Sequence, residues 1–228
     1  MSNFKVINPM QKNLQSLKVS AHSLPRPKAV LFDLDGTLVE STLDFNFLKQ
    51  NFDIQPGQDV LQFISSLPSE QKRLANELIA THELEDAQRA KTLPGALDLL
   101  LALDRADIPT AIITRNSRKA AKIKIENNAL PVEYLVSRED AKPKPHPEAL
   151  LSIAQGWKIQ PEDCWYIGDY LYDLQAANNA GMVAGLYTGS HLEESRYSAF
   201  MHLADIVFND HDHLRGAWEA MDYLCIKN

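Results

Sequence analysis

Short apolar runs alternate with longer stretches of three-to-four periodicity along most of this chain. The run over 28–37, Lys-Ala-Val-Leu-Phe-Asp-Leu-Asp-Gly-Thr, is almost continuously apolar in its first half and ends on a turn signal, the pattern of a strand buried on both faces. Comparable runs are predicted as strands over 110–114, 134–136, 164–167, 182–187 and 206–208. Helical periodicity fills the gaps, over 96–105, 118–127, 148–155, 172–180 and 213–224. This order predicts an α/β fold, an open and mainly parallel sheet with helices on both faces and right-handed crossovers.

One stretch breaks the alternation. From residue 40 to residue 91 no strand pattern is present, and helix-like pieces over 43–51, 58–66 and 69–89 are separated by Pro56-Gly57 and Pro68. Leu74, Leu78, Ala80 or Thr81, and Leu84 recur at helical spacing, and Phe45, Phe47, Phe52 and Phe63 are the expected core of this small helical insert. His82, Glu83, Glu85 and Asp86 form a polar face that is expected to be solvated. The chain therefore divides into a core of residues 28–39 and 92–228, a helical insert of residues 40–91 that returns at the Leu93-Pro-Gly95 turn, and an N-terminal extension of residues 1–27 expected to be a loosely ordered tail.

Composition narrows the partners. Of 228 residues, 45% are hydrophobic and 23% charged, as in ordinary globular proteins. With 23 Lys and Arg against 30 Asp and Glu, the net charge of −7 leaves no basic footprint for a nucleic acid. No apolar run approaches the ~20 residues that span a bilayer, so a membrane is not an expected partner either. Cys164 and Cys225, with no CxxC or Cys/His cluster near them, indicate neither a disulfide framework nor a zinc site. The first 32 residues contain no acid but carry Lys5, Lys12, Lys18, Arg26 and Lys28. Without the apolar run of a secretory signal, this bias leaves a cytoplasmic location as the default and an organelle as the lesser option. Oligomeric state is not legible.

In an open parallel sheet, ligands bind beyond the carboxyl ends of the strands. The first run ends in Asp33 and Asp35, which flank Leu34 and can face one pocket because residues i and i+2 of an extended chain share a side. Two acids crowded at a buried strand end repel and lose hydration, which calls for a cation or a shared proton. Another run ends at Gly168-Asp169, with Asp173 four residues on. Up to four carboxylates without His or Cys suit a hard, oxygen-loving ion, of which Mg²⁺ is the first choice. Thr114, Arg115 and Asn116 close a third strand with a hydroxyl and amides that can cradle an anion. Lys142 and Lys144 lie in the loop Ala-Lys-Pro-Lys-Pro-His-Pro before a helix, and either can neutralise phosphate. In such a site Asp33 can attack phosphorus and become an aspartyl-phosphate, while Asp35 protonates the leaving alkoxide and then activates water.

Asp33-Leu-Asp-Gly-Thr37, Thr114, Lys144, and Gly168-Asp169 with Asp173 resemble the four motifs of the haloacid dehalogenase superfamily, and the likeness runs from about Lys28 to Leu224. It implies a Rossmann-like core and an Mg²⁺-dependent phosphatase acting on a small phosphorylated metabolite, such as phosphoglycolate or a sugar phosphate. Asp33 is the implied nucleophile, and Asp35 the acid/base and a metal ligand through its backbone carbonyl. Thr114 and Lys144 are the implied phosphate binders, Asp169 a metal ligand, and Asp173 a further ligand or a partner to one. The insert resembles the small helical cap of phosphoglycolate-phosphatase-like members.

Rival readings are a phosphomutase of the β-phosphoglucomutase type, which needs a different cap, a 2-haloacid dehalogenase, and a non-catalytic phosphate-binding protein. Asp35 argues against the dehalogenase, whose branch is expected to lack an acid two residues after the nucleophile. The helix from Glu148 stands at the usual distance after Lys144 and favours it over Lys142, which is then a second cation at the rim. Arg115 either reaches the cap or pairs on the surface.

Overall fold

A computed structural model describes residues 18–19, 24–44, 49, 51–55, 58–189 and 197–225. Most of the N-terminal extension, Phe45, Phe47 and the Pro56-Gly57 turn lie outside these residues, as does much of the helix expected over 43–51.

Seven strands form one sheet. They are β1 (Lys18–Val19), β2 (Ala29–Phe32), β3 (Thr110–Ile113), β4 (Tyr134–Val136), β5 (Cys164–Gly168), β6 (Val183–Tyr187) and β7 (Ile206–Phe208), in the order β1-β7-β6-β5-β2-β3-β4. Neighbours from β7 to β4 are all parallel, and only β1 runs antiparallel, with Lys18 opposite Val207 and Val19 opposite Ile206. The helices are α1 (Val60–Ser65), α2 (Ser69–Arg89), α3 (Ala96–Arg105), α4 (Arg118–Asn127), α5 (Glu148–Trp157), α6 (Leu171–Ala180) and α7 (His211–Cys225).

Alternation along β2 explains the layers. Val30 and Phe32 face one core with Leu99 and Leu103 of α3 and Leu214 and Trp218 of α7, whereas Ala29 and Leu31 face another with Leu150 of α5 and Leu174 of α6. Both faces of the strand are dry, which is why its sequence reads as an unbroken apolar run. β1 was not expected. Its two residues are too few for any periodicity, and part of the supposed tail also packs on the core, where Pro25 accepts a hydrogen bond from Trp165 Nε1 at 3.1 Å and Pro27 is buried.

The chain leaves the sheet side by side with its own return. Glu40 N–H donates to Lys91 at 2.8 Å and Leu93 N–H to Leu38 at 2.9 Å, and α1 and α2 lie between these crossings. Ile64, Ala75 and Ile79 make a small apolar cluster of their own, with Phe52 and Phe63 packed against it.

The inward face of α2 corrects the sequence reading twice. Leu74 and Leu78 are 45% exposed; the buried stripe lies one residue further on, at Ala75, Ile79, Glu83, Asp86 and Ala87. Glu83 and Asp86, expected in solvent, are buried because cations meet them. Arg138 pairs with Glu83, whose other oxygen accepts from Ser117 N–H at 3.1 Å, and Lys124 of α4 donates to Asp86 at 2.6 Å.

Candidate active site

β2 is the first of the parallel strands, and the chain adds later strands on both sides of it, so the crevice between its carboxyl end and that of β5 is the topological switch point. Phe32 pairs with Ile167, and Asp33 N–H donates to Ile167 at 2.8 Å, which sets Asp33 beside Gly168-Asp169. Gly36 turns the chain at φ 74°, and a Cβ there would stand 2.6 Å from Asp169 Oδ2, so only glycine lets the two loops approach this closely.

One oxygen each from Asp33, Asp169 and Asp173 lie within 4.8 Å of one another, a hard-oxygen donor set that could hold a divalent metal. Burial pushes the Asp33 carboxyl up to about 7 against the pull of Lys144, and Asp173 and Asp35 add to the rise. A bound cation would relieve that penalty, so the residues fit the ion. The Asp35 carboxylate is not in this cluster. Its oxygens are taken by Asn116 Nδ2 and Lys124 Nζ.

Lys144 reaches the centre of the acids. Its ammonium lies 2.6 Å from Asp33 Oδ1 and from Asp173 Oδ1, 2.9 Å from Tyr166 Oη and 3.2 Å from the Ile113 carbonyl. Burial works against its charge, but Asp173 and Asp33 outweigh it, and the pKa is raised. Lys142 instead stays at the surface, 4.0 Å from Glu148. Asp173 also accepts from Tyr170 N–H at 3.1 Å, so its side chain caps α6 while facing the acids.

Thr114 is buried, with its hydroxyl accepting from Asn116 N–H at 3.1 Å. Asn116 therefore spends its backbone donor on Thr114 and its side-chain amide on Asp35. Arg115 crosses to the helical segment, where its Nη2 lies 2.8 and 2.6 Å from the two oxygens of Asp59, the N-cap of α1, and its guanidinium sits 4.8 Å from the ring centroid of Tyr172. Burial raises Asp59, yet Arg115 overcomes this and holds its carboxyl below the ordinary value. These residues line a cleft of about 1280 Å³ together with Ser41, Leu43, Asp59, Val60 and Leu61. Lys124, Asp59 and Tyr172 carried no signal in the sequence; each gains its role from a partner far away in the chain.

The haloacid dehalogenase-like hydrolase family model matches residues 55–185, more than half of the chain, although the Asp33–Asp35 run lies before that span. Hexitol phosphatase A of Escherichia coli is 31% identical over 73% of this chain and 82% of its own length. A phosphoglycolate phosphatase of Xylella fastidiosa is 30% identical over 72% of this chain and 81% of its own. Among solved structures, a hydrolase from Pseudomonas syringae superposes with a TM-score of 0.65 at 23% identity, covering 82% of this chain and 97% of that one, and shares the fold. The chain belongs to the haloacid dehalogenase-like hydrolase family. Within it, the chain is a hydrolase of the phosphatase type. No helix among the described residues is long and apolar enough to cross a membrane.

Proposed function

We propose that this enzyme is an Mg²⁺-dependent phosphatase that hydrolyses a small phosphate monoester, of the phosphoglycolate or sugar-phosphate type, through an aspartyl-phosphate on Asp33. The observation that carries the reading is the buried Asp33 carboxylate, held at 2.6 Å by Lys144 beside Asp169 and Asp173 on the floor of a cleft roomy enough for a small metabolite. The names of the two phosphatase relatives support the same substrate class.

Asp33, Asp169 and Asp173, with the Asp35 backbone carbonyl, would hold the Mg²⁺, which when bound would neutralise charge on the acids and on the phosphate. Lys144 and Thr114 bind the phosphoryl group and keep it in line with Asp33. A carboxylate oxygen of Asp33 then attacks phosphorus, the ester P–O bond breaks, and Asp35 gives its proton to the departing alkoxide. Water next attacks the phosphorus of the acyl phosphate, Asp35 takes the proton back, and inorganic phosphate leaves with Asp33 restored. Residues 40–91 act as a cap over a core of residues 28–39 and 92–228, excluding water and contacting the non-phosphate end of the substrate.

Hydrolysis of p-nitrophenyl phosphate with and without Mg²⁺ tests the reading. Turnover that needs the metal and vanishes in Asp33→Asn is expected, and a panel of natural phosphate esters then identifies the substrate. A metal-replete enzyme inert toward every ester would overturn it.

A further inference from the structure

Lys124 is fully buried, and its ammonium lies between carboxylates from two different parts of the chain. It donates to Oδ1 of Asp35, in the loop after β2, and to Oδ2 of Asp86 on α2, the latter at 2.6 Å. Asn116 Nδ2 takes the other Asp35 oxygen, so that carboxylate is held at both ends while its side chain stays 19% exposed. Asp86 is held as firmly. Thr42 donates to it through the backbone N–H at 2.7 Å and the hydroxyl at 2.8 Å, and Ser41 Oγ lies 3.3 Å away. Ser41 and Thr42 follow directly on the crossing where the chain leaves the sheet.

A buried ammonium is costly unless its charge and its protons are met, and the second acceptor here is no group of α2 or α4 but the Asp35 carboxylate, which lines the cleft. We propose that Lys124 is a positioning residue for hydrolysis: together with Asn116 it aims the Asp35 carboxylate at the leaving-group oxygen, and through Asp86 it makes that aim depend on α2 being docked. The inference rests on the reading of Asp35 as the group that protonates the leaving alkoxide. The two donors leave the carboxylate little freedom to rotate. Asp35 lines the cleft and keeps part of its side chain exposed there, within reach of a bound ester.

An alkoxide needs that proton, whereas p-nitrophenolate departs without much help. Because kcat/KM reports steps up to transfer of the phosphoryl group to Asp33, comparing it for p-nitrophenyl phosphate and for an alkyl ester such as glycerol 2-phosphate isolates the protonation. With the full-length, Mg²⁺-loaded enzyme, Lys124→Met is expected to lower kcat/KM for the alkyl ester at least about ten-fold more than for the aryl ester. Asp86→Asn leaves Lys124 one charged partner and keeps acceptors for Thr42, so it is expected to fold, with the same selective loss by a smaller factor. It decides the matter should Lys124→Met fail to fold. Equal losses on both esters, or no loss on either in folded Asp86→Asn, would overturn the inference and leave the phosphatase reading intact. A metal-replete wild-type enzyme that hydrolyses neither these two nor any ester of the natural panel would overturn that reading itself, and this inference with it.

Discussion

The Cα of Gly36 is packed so tightly under Asp169 that a methyl group there would meet both Oδ2, at 2.6 Å, and Cγ, at 2.9 Å. The loop after β2 and the loop after β5 are thus held at a spacing that only a glycine allows, and the positive φ of 74° adds backbone strain for any other residue. Gly36→Ala is expected to push Asp169 away from Asp33. A displacement of this kind costs on the order of 100-fold in kcat/KM with a stability loss of only about 1–2 kcal/mol. Steady-state kinetics beside thermal denaturation separate the two, and a fully active Gly36→Ala would show that the spacing does not matter.

The two lysines of the Lys-Pro-Lys-Pro loop predict opposite phenotypes. Lys144→Ala removes the ammonium that Asp33 and Asp173 both hold at 2.6 Å and leaves two buried acids without their shared partner, so it should abolish turnover and lower Tm together. Lys142 is two-thirds exposed and makes one long ion pair, so Lys142→Ala should leave Tm unchanged and kcat within about two-fold. A Lys142→Ala variant as damaged as Lys144→Ala would reassign the phosphate lysine.

Parallel strands buried on both faces leave a continuous apolar run in the sequence, so β2, β3, β5 and β6 were legible, and so were the acids and the hydroxyl that end them. Asp33, Asp169, Thr114 and Lys144 could be named because each interrupts such a run or a proline-punctuated loop. Lys124 could not. In Arg-Lys-Ala-Ala-Lys-Ile-Lys-Ile-Glu it is one lysine among three and reads as part of a solvated basic face, and its burial depends on Asp86, 38 positions earlier. Asp86 and Glu83 read as solvated for the same reason. An acid on a helix reads as solvent-facing unless the cation that will meet it is known, and here Lys124 and Arg138 lie on later elements. Those two acids also claim the inner face of α2, which turns Leu74 and Leu78 outward despite their regular spacing.

Glu83 and Arg73 make ion pairs at opposite extremes of burial on the same helix. Glu83 is 1% exposed and serves both Arg138 and the Ser117 N–H, so Glu83→Ala leaves a largely buried guanidinium and a backbone donor without partners, at a cost of about 3–5 kcal/mol. Arg73 bridges Glu70 and Glu77 at the surface, and Arg73→Ala should leave the melting temperature where it was. Denaturant titration of both variants provides the check, and similar midpoints would mean that α2 is not anchored through Glu83.

The pH dependence of metal binding follows from Asp33. Its carboxyl is raised from an ordinary 3.8 to about 7 by burial, so the unfolded chain loses this proton near pH 4 while the metal-free folded protein keeps it to about pH 7. Over that window the folded state binds more protons than the unfolded state. The stability that Asp33 contributes below pH 4 is therefore lost progressively as pH rises toward 7, and the loss is complete above it. A divalent ion requires the ionised carboxylate, so at pH 5 to 6 binding must expel a proton, and affinity should weaken about ten-fold for each pH unit below 7. The rise in Tm on adding Mg²⁺ should accordingly be small at pH 5, grow through pH 6 and 7, and level off by pH 8. In Asp33→Asn no such proton exists, and the pH dependence that Asp33 imposes should be lost. A wild-type shift that is equally large at pH 5 and pH 8 would mean that Asp33 is already ionised without the metal, and that the acids are not waiting for a cation.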